Sequence, residues 1–201
     1  MLWKDVSKMS ENLEDGMQPN KKKKHASEIK AKLLEDSVII EDHQDARIIY
    51  DNGYYGMLNN DKTLTLDFDE ALHLLERGVL SIVNESDVKI GVSECTTIFS
   101  KRLKGFWSDY LVYKDLRNRG YIVNRGISKL VKYRLYPRGA KIGETPAKTM
   151  ICPLAEGRTI NLEELNKMSV QTQSIKKGLL IACVDRLGDV SYYELQELFK
   201  S

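Results

Sequence analysis

The sequence predicts an α/β protein built in two halves, and three observations carry that prediction. Apolar runs of strand length, bounded by turn residues, alternate with segments that carry helix-capping residues and a helical apolar period. The same loose pattern of helix and strand occurs in both halves, without an internal repeat. The first 27 residues stand apart, because they sustain no apolar period at all. The expected organisation is a basic tail over 1–27, a small α/β unit over 28–92 and a second unit over 93–201.

Length and composition bound the function classes. At 201 residues and 42% hydrophobic content the chain can bury a sizeable core. A net charge of +2 means that any nucleic-acid contact must come from a local patch and not from a global field. Three cysteines, Cys95, Cys152 and Cys183, make an odd count with no C-x-x-C pair, which argues for a reducing compartment and a cytoplasmic protein. Three histidines without ligand spacing argue against a zinc site. No apolar run reaches the length of a membrane span, and no signal-peptide core is present.

The tail contains the run Lys21 to Lys24, a solvated charge block or a phosphate-contacting arm. In the first unit, Glu28 to Leu34 reads as a short helix. Ser37 to Ile40 and Ala46 to Tyr50 read as strands, and Asp51-Asn52-Gly53 as a turn. Tyr54 and Tyr55 read as packing aromatics, and Leu64 to Leu66 alternates like a strand. Asp67 opens a helix with Glu70 as its capping-box partner, and Gly78 closes it. His73, among leucines on that helix, reads as a structural histidine packed at an edge. Val79 to Ser93 reads as the passage between the units.

In the second unit, Thr96 to Arg119 reads as one long helix. Its apolar stripe runs through Leu103, Phe106, Trp107, Tyr110, Leu111, Tyr113 and Leu116, and Gly120 stops it. Tyr121 to Val123 begins a sheet, Asn124-Arg125-Gly126 turns it, and Lys132 to Tyr136 continues it until Pro137-Arg138-Gly139. Lys148 to Pro153 reads as a strand stopped by its proline. Asn161 caps a helix with Glu164 at its third position and Leu162, Leu165 and Met168 facing inward. Gly178 to Val184 is continuously apolar and suits a strand buried on both faces. Asp185 to Asp189 is a turn, and Val190 to Leu195 is the returning strand.

Five segments, in order, carry a resemblance. They are Tyr54-Tyr55-Gly56; Glu70-Ala71 with Arg77-Gly78; Tyr110 to Tyr121 through Tyr113, Asp115, Arg117, Arg119 and Gly120; Tyr133 to Gly139; and Ile175-Lys176-Lys177 through Asp185, Gly188-Asp189 and Tyr192-Tyr193. Together, over Ile29 to Leu198, they resemble the archaeal tRNA-intron splicing endonucleases. The resemblance implies a small N-terminal α/β domain followed by a nuclease-like domain with a mixed sheet. It implies cleavage of precursor tRNA at a bulge-helix-bulge, without metal or other cofactor, leaving a 2′,3′-cyclic phosphate and a 5′-hydroxyl. Such cleavage needs a base for the 2′-hydroxyl, an acid for the leaving oxygen and a cation for the charge that builds on phosphorus.

The family uses a tyrosine, a histidine and a lysine for these tasks. Tyr136 stands at the tyrosine. Lys177 stands at the lysine, with Lys176 as a one-residue ambiguity. The histidine is expected after Gly139 and before the next strand, and the segment Ala140 to Met150 contains none. The three histidines, His25, His43 and His73, all lie far upstream. An imidazole titrates near neutrality and suits donation to an alkoxide. Its absence leads to the expectation of a structural, non-catalytic subunit that assembles with a separate catalytic subunit as a heterotetramer of two plus two. Arg134, Arg138, Lys148 and Lys176 are the expected RNA contacts. Asp185 and Asp189, on an acidic loop interrupted by Arg186, and Tyr192 and Tyr193, on the edge strand, are the expected subunit contacts.

Two other readings stay open in the sequence. One is a self-sufficient endonuclease in which another group, such as Lys148, replaces the acid. The other is an RNA-binding scaffold using the lysine tail together with Arg134, Arg138, Lys141, Lys148, Lys176 and Lys177. A metal-dependent nuclease is disfavoured, because the Asp and Glu-x-Lys arrangement such sites use does not occur on the strands of the second unit, and Glu28-Ile29-Lys30 lies outside it.

Overall fold

The structure, a computed structural model, describes residues 28–195. The tail expected over 1–27, with Lys21 to Lys24 and His25, lies outside the described residues, as do 196–201.

The first sheet has the order β3-β4-β2-β1-β5-β6. Its strands are β1 (Ile29–Leu33), β2 (Val38–Ile40), β3 (Met57–Leu58), β4 (Leu64–Leu66), β5 (Leu80–Val83) and β6 (Lys89–Ile90). Strands β1 and β5 run parallel, and the other pairs are antiparallel. Helices α1 (His43–Asp51), α2 (Phe68–Glu76) and α3 (Val92–Arg102) pack with it. The second sheet, β11-β10-β9-β8-β7, is mixed. It comprises β7 (Ile122–Arg125), β8 (Tyr133–Tyr136), β9 (Thr149–Ala155), β10 (Gly178–Val184) and β11 (Val190–Glu194), with β9 and β10 parallel and the remaining neighbours antiparallel. Helices α4 (Phe106–Asn118) and α5 (Leu162–Ser174) lie against it. The chain is thus α+β, with an N-terminal and a C-terminal domain.

Several local readings are corrected. Ile29 to Leu33 is a strand and not a helix: its residues alternate buried and exposed, and the parallel pairing with β5 fixes them. Ala46 to Tyr50 is helical and not a strand. The Asp42 carboxylate accepts from the Gln44 and Asp45 backbone N–H groups at 2.9 Å, and Ala46 and Ile49, three apart, are buried together. Val79 to Ser93 is no passage. Leu80 to Val83 is a fully buried inner strand, and β6 hairpins back onto it.

The expected long helix is two helices. Leu103 is extended at φ −120° and ψ 112°, and Gly105 takes φ +81°, which breaks the chain between α3 and α4. The break sends the two helices in different directions, so Leu103 and Trp107 leave the apolar stripe for solvent. Phe106, Tyr110, Tyr113 and Leu116 stay buried. The first two belong to the N-terminal core, with Phe99 stacked on Phe68 at 4.2 Å, and the last two to the C-terminal core. Helix α4 therefore joins both cores.

Strand β7 continues through Arg125, so the turn starts only at Gly126. Pro153 does not stop β9, which runs to Ala155. Pairing with β8 ends at Ile151, so the proline sits where one flank is open and a donor can be spared. Leu162 points to solvent at the first position of α5, whereas Met168 is buried. The β10 strand is closed on one face only. Ala182 and Val184 meet α4, while α5 covers the Leu179 end of the other face and leaves Ile181 and Cys183 half-buried. His73 is not at an edge. It is buried between Tyr55, stacked at 6.2 Å, and Tyr113, edge-on at 5.8 Å.

Candidate functional site

The register of three neighbouring strands assembles the site. The Lys148 N–H donates to the Leu135 carbonyl at 3.2 Å, and the Gly178 N–H donates to the Lys148 carbonyl at 3.1 Å. Leu135 pairs with Thr149, and Gly178 pairs with Thr149 from the other side. The Lys148–Leu135 bond is out of step with the Leu135–Thr149 pairing, so Lys148 and Thr149 both face Leu135, as in a β-bulge, and Tyr136 beyond it packs against Ala147. Tyr136, Lys148 and Lys177 thus lie at the same end of three neighbouring strands.

Each position has a local cause. Tyr136 ends β8 and is buried against Ala140, Ala147, Ile122 and Ile142. Pro137 ends the strand, Gly139 takes φ +72°, and the Ala140 N–H donates to the Pro137 carbonyl, which folds the following loop back over the tyrosine ring. Lys148 immediately precedes β9 and is exposed. Lys177 is half-buried. Helix α5 delivers it: Lys176 turns with φ +54°, its N–H donates to the Gln173 carbonyl at 2.8 Å, and the Lys177 N–H donates to the Thr172 carbonyl at 3.0 Å. Two ammonium groups and a phenol can bind and neutralise a phosphate. Among the described residues, no imidazole stands near them. His73 lies between Tyr55 and Tyr113, and His43 begins α1 in the N-terminal domain.

The other expected residues spread around this end of the sheet and beyond it. Arg134 lies two residues back on β8, on the same face as Tyr136, and lines a groove of about 570 Å³ with Tyr50, Met57, Asp67, Glu70 and Arg125. Arg138 is exposed, its guanidinium 5.1 Å from the centre of the Tyr121 ring. Lys141 and Lys176 are exposed. The loop residues lie at the opposite end of β10. Asp185 spends its Oδ1 on the Leu187 and Asp189 backbone N–H groups, at 2.8 and 2.9 Å. Arg186 turns toward Glu156, and Leu187 is 90% exposed at the tip. Strand β11 is the sheet edge. Its Tyr192 points inward and donates to Asp115 Oδ2 at 2.6 Å, and its Tyr193 points outward.

Sequence reasoning missed the joint that holds the two domains in register behind the site. Lys132 Nζ lies 3.1 Å from Asp69 Oδ2 and 2.9 Å from Asp109 Oδ2. The Tyr133 hydroxyl lies 2.8 Å from the same Asp69 oxygen. Burial pushes the Asp69 carboxyl up to about 6, with Lys132 and Tyr133 opposing that rise. Burial also pushes Glu70 up to about 8, although its oxygens accept from the Gly56 and Asp67 N–H groups. Nearby, Arg117 stacks 3.6 Å from the Tyr55 ring and donates to the Gly53 carbonyl. Tyr133 and Asp69 are 64 residues apart, so no spacing rule signals the contact.

Comparison with known proteins now decides the family. The profile of the tRNA intron endonuclease N-terminal domain matches residues 29–96, and that of the tRNA intron endonuclease catalytic C-terminal domain matches 106–192. This chain belongs to the tRNA intron endonuclease family. A tRNA-splicing endonuclease of Methanothermobacter thermautotrophicus is 33% identical over 165 residues, 82% of this chain and 95% of that protein. One of Pyrococcus horikoshii is 31% identical over 148 residues, 74% of this chain and 84% of the relative. One of Methanococcoides burtonii is 30% identical over 168 residues, 84% of this chain and 46% of the relative, so the chain spans about half of that longer protein. The resemblance read from the five sequence segments is borne out, as is the expected α+β fold with its mixed second sheet. Among the described residues, no helix is long and apolar enough to cross a membrane.

Proposed function

We propose that this chain is the structural, non-catalytic subunit of a tRNA-splicing endonuclease and assembles with a separate catalytic subunit, two copies of each. The observation that carries the reading is the chemistry of the residues at this end of the sheet. Tyr136 and Lys177 stand where the family places its tyrosine and lysine, but neither these residues nor the segment 140–150 supplies an imidazole. Removing a positioned acid lowers a rate by roughly 10²–10⁴-fold. The partner subunit would supply the complete triad, cut precursor tRNA at the bulge-helix-bulge, and leave a 2′,3′-cyclic phosphate and a 5′-hydroxyl.

Assembly has its own support. Among the described residues, strand β11 pairs on one side only, with Tyr193 60% exposed and Leu187 exposed at the adjoining turn. An open strand edge and exposed large side chains are what a partner would cover. Because Asp185 is committed to its own turn and Arg186 offsets charge, Asp189 is the loop carboxylate left to contact a basic partner surface. The test is the mass of the native complex isolated from its source. The reading expects a second, different endonuclease chain in equal number, and a homo-oligomer of this chain alone would refute it.

The placement of Lys148 favours one alternative, a self-sufficient enzyme in which its ammonium serves as the acid. Cleavage by this chain alone, lost on Lys148→Met, would establish that alternative in place of the subunit reading.

A further inference from the structure

We infer that a groove beside α3 in the N-terminal domain docks the chain's own lysine run, Lys21 to Lys24. The groove is remote from the Tyr136 end of the second sheet, and its occupant is independent of whether the chain cuts RNA.

Charge is divided between the domains. Residues 28–96 hold 15 acidic and 6 basic side chains, whereas 97–195 hold 9 acidic and 18 basic. The nearly neutral chain thus contains an acidic N-terminal domain, whose field repels RNA and attracts cations. One groove of about 490 Å³ gathers that acid, between the β1–β2 turn, the β5–β6 turn and α3. Leu34, Ile90 and Ile98 give it apolar surface, and Glu35, Glu85 and Glu94 stand exposed around it. Among the described residues, none of these three carboxylates is in an ion pair. By contrast Glu28, Glu41 and Asp87, in the same domain, each have a lysine partner. Arg102, at one end of the groove, donates to the Leu34 and Glu35 carbonyls at 2.6 and 2.9 Å, so it is committed to the backbone.

The lysine run has the right charge and the right tether. Ala31 pairs with Ile82, and Ile82 with Ile90, so Ile90 lies two strand spacings, about 10 Å, across the sheet from Ala31. Glu28 lies three residues, about 10 Å, back along the strand. The near end of the groove is therefore roughly 14 Å from Glu28. Extended chain from Glu28 carries Lys24 at most about 14 Å and Lys21 about 25 Å. The run can lie along the groove, with its ammonium groups at the carboxylates and its methylene stems over Leu34 and Ile98. A lone exposed ion pair is worth little. Several at once, on a short tether, act at an effective concentration of about millimolar. A second copy would bring the same lysines without that advantage, and the surrounding acid disfavours RNA here.

The test uses the full-length chain. Carbodiimide at low salt joins an ammonium to a carboxylate in direct contact, and mass spectrometry of the monomer should find Lys21–Lys24 linked to Glu35, Glu85 or Glu94. Trypsin should cut within the run several-fold faster when Glu35→Gln, Glu85→Gln and Glu94→Gln are combined. Glu144→Gln with Glu163→Gln, in the C-terminal domain, should leave that rate unchanged, and melting temperatures establish that each variant is folded. Links scattered over both domains, or a groove variant cut at the wild-type rate, would overturn the inference. Links found only between isotopically distinct copies would overturn it in favour of a second copy. Protection of the run by a bulge-helix-bulge RNA, with none from the groove, would overturn it in favour of a phosphate-contacting arm.

Discussion

The half-buried Lys132 ammonium lies 3.1 Å from the buried Asp69 carboxylate, with one partner in each domain. Asp69 projects from α2 and Lys132 precedes β8, the strand that ends in Tyr136. Asp109, on α4, shares the same ammonium at 2.9 Å. The pair therefore fixes the start of β8 against the N-terminal domain. Lys132→Met leaves the buried Asp69 carboxylate and the half-buried Asp109 carboxylate without their cation and should destabilise the protein by about 3–5 kcal/mol. Asp69→Leu combined with Lys132→Met should recover part of that loss, since no lone charge is then left at Asp69. Chemical denaturation of the two variants checks this, and equal destabilisation of the single and the double variant would contradict it.

His73 makes stability depend on acid. Burial, with help from Arg117, Arg77 and Lys114 and against Glu76, pulls its imidazole down to about 4 from an ordinary 6.5. The unfolded chain then binds more protons than the folded one between those values, so stability rises with pH across the window and is lost as pH falls from about 6.5 toward 4. Glu70 runs the other way. Raised by burial to about 8, it favours the folded state protonated, so its contribution falls as pH rises from about 4.5 toward 8. His73→Phe keeps an aromatic between Tyr55 and Tyr113 and removes only the first slope. The difference between wild type and variant at pH 5 and pH 7 should change by roughly 1–3 kcal/mol. A pH-independent difference would contradict the assignment.

The candidate residues Tyr136 and Lys177 sit in short motifs with fixed chemistry. Tyr136 precedes Pro137-Arg138-Gly139, and Lys177 precedes an apolar run, so both could be placed from local order. The capping box of Asp67 and Glu70 and the turn around Gly188 were legible for the same reason. What failed was decided by distant partners. Ile29 to Leu33 contains good helix formers, yet β5, some 50 residues on, makes it a strand. Ile48-Ile49-Tyr50 has strand propensity, yet a cap and a buried Ala46–Ile49 stripe make it helical. The place of Lys148 between Leu135 and Gly178 and the joint that includes Lys132 both arise from contacts between distant segments, which a linear pattern does not contain.

Gly126 is constrained by space. A Cβ there would meet the Val131 carbonyl oxygen at 2.0 Å, and the Gly126 N–H donates to the Lys132 carbonyl. Backbone atoms cannot yield as a flexible side chain does. Gly126→Ala should therefore cost about 1–3 kcal/mol by overpacking and loosen the β7–β8 turn. Thermal melting and amide exchange at Val131 and Lys132 read the effect. A variant as stable as wild type would show that the turn closes in another way.

The account stands or falls on whether this chain can cut RNA by itself. The direct measurement is cleavage of a bulge-helix-bulge precursor by the purified full-length chain, repeated with the catalytic partner present. The account predicts intact RNA from the chain alone, and, in the complex, cutting that Tyr136→Phe in this chain leaves unchanged. Turnover by the chain alone, abolished by Tyr136→Phe, would contradict it.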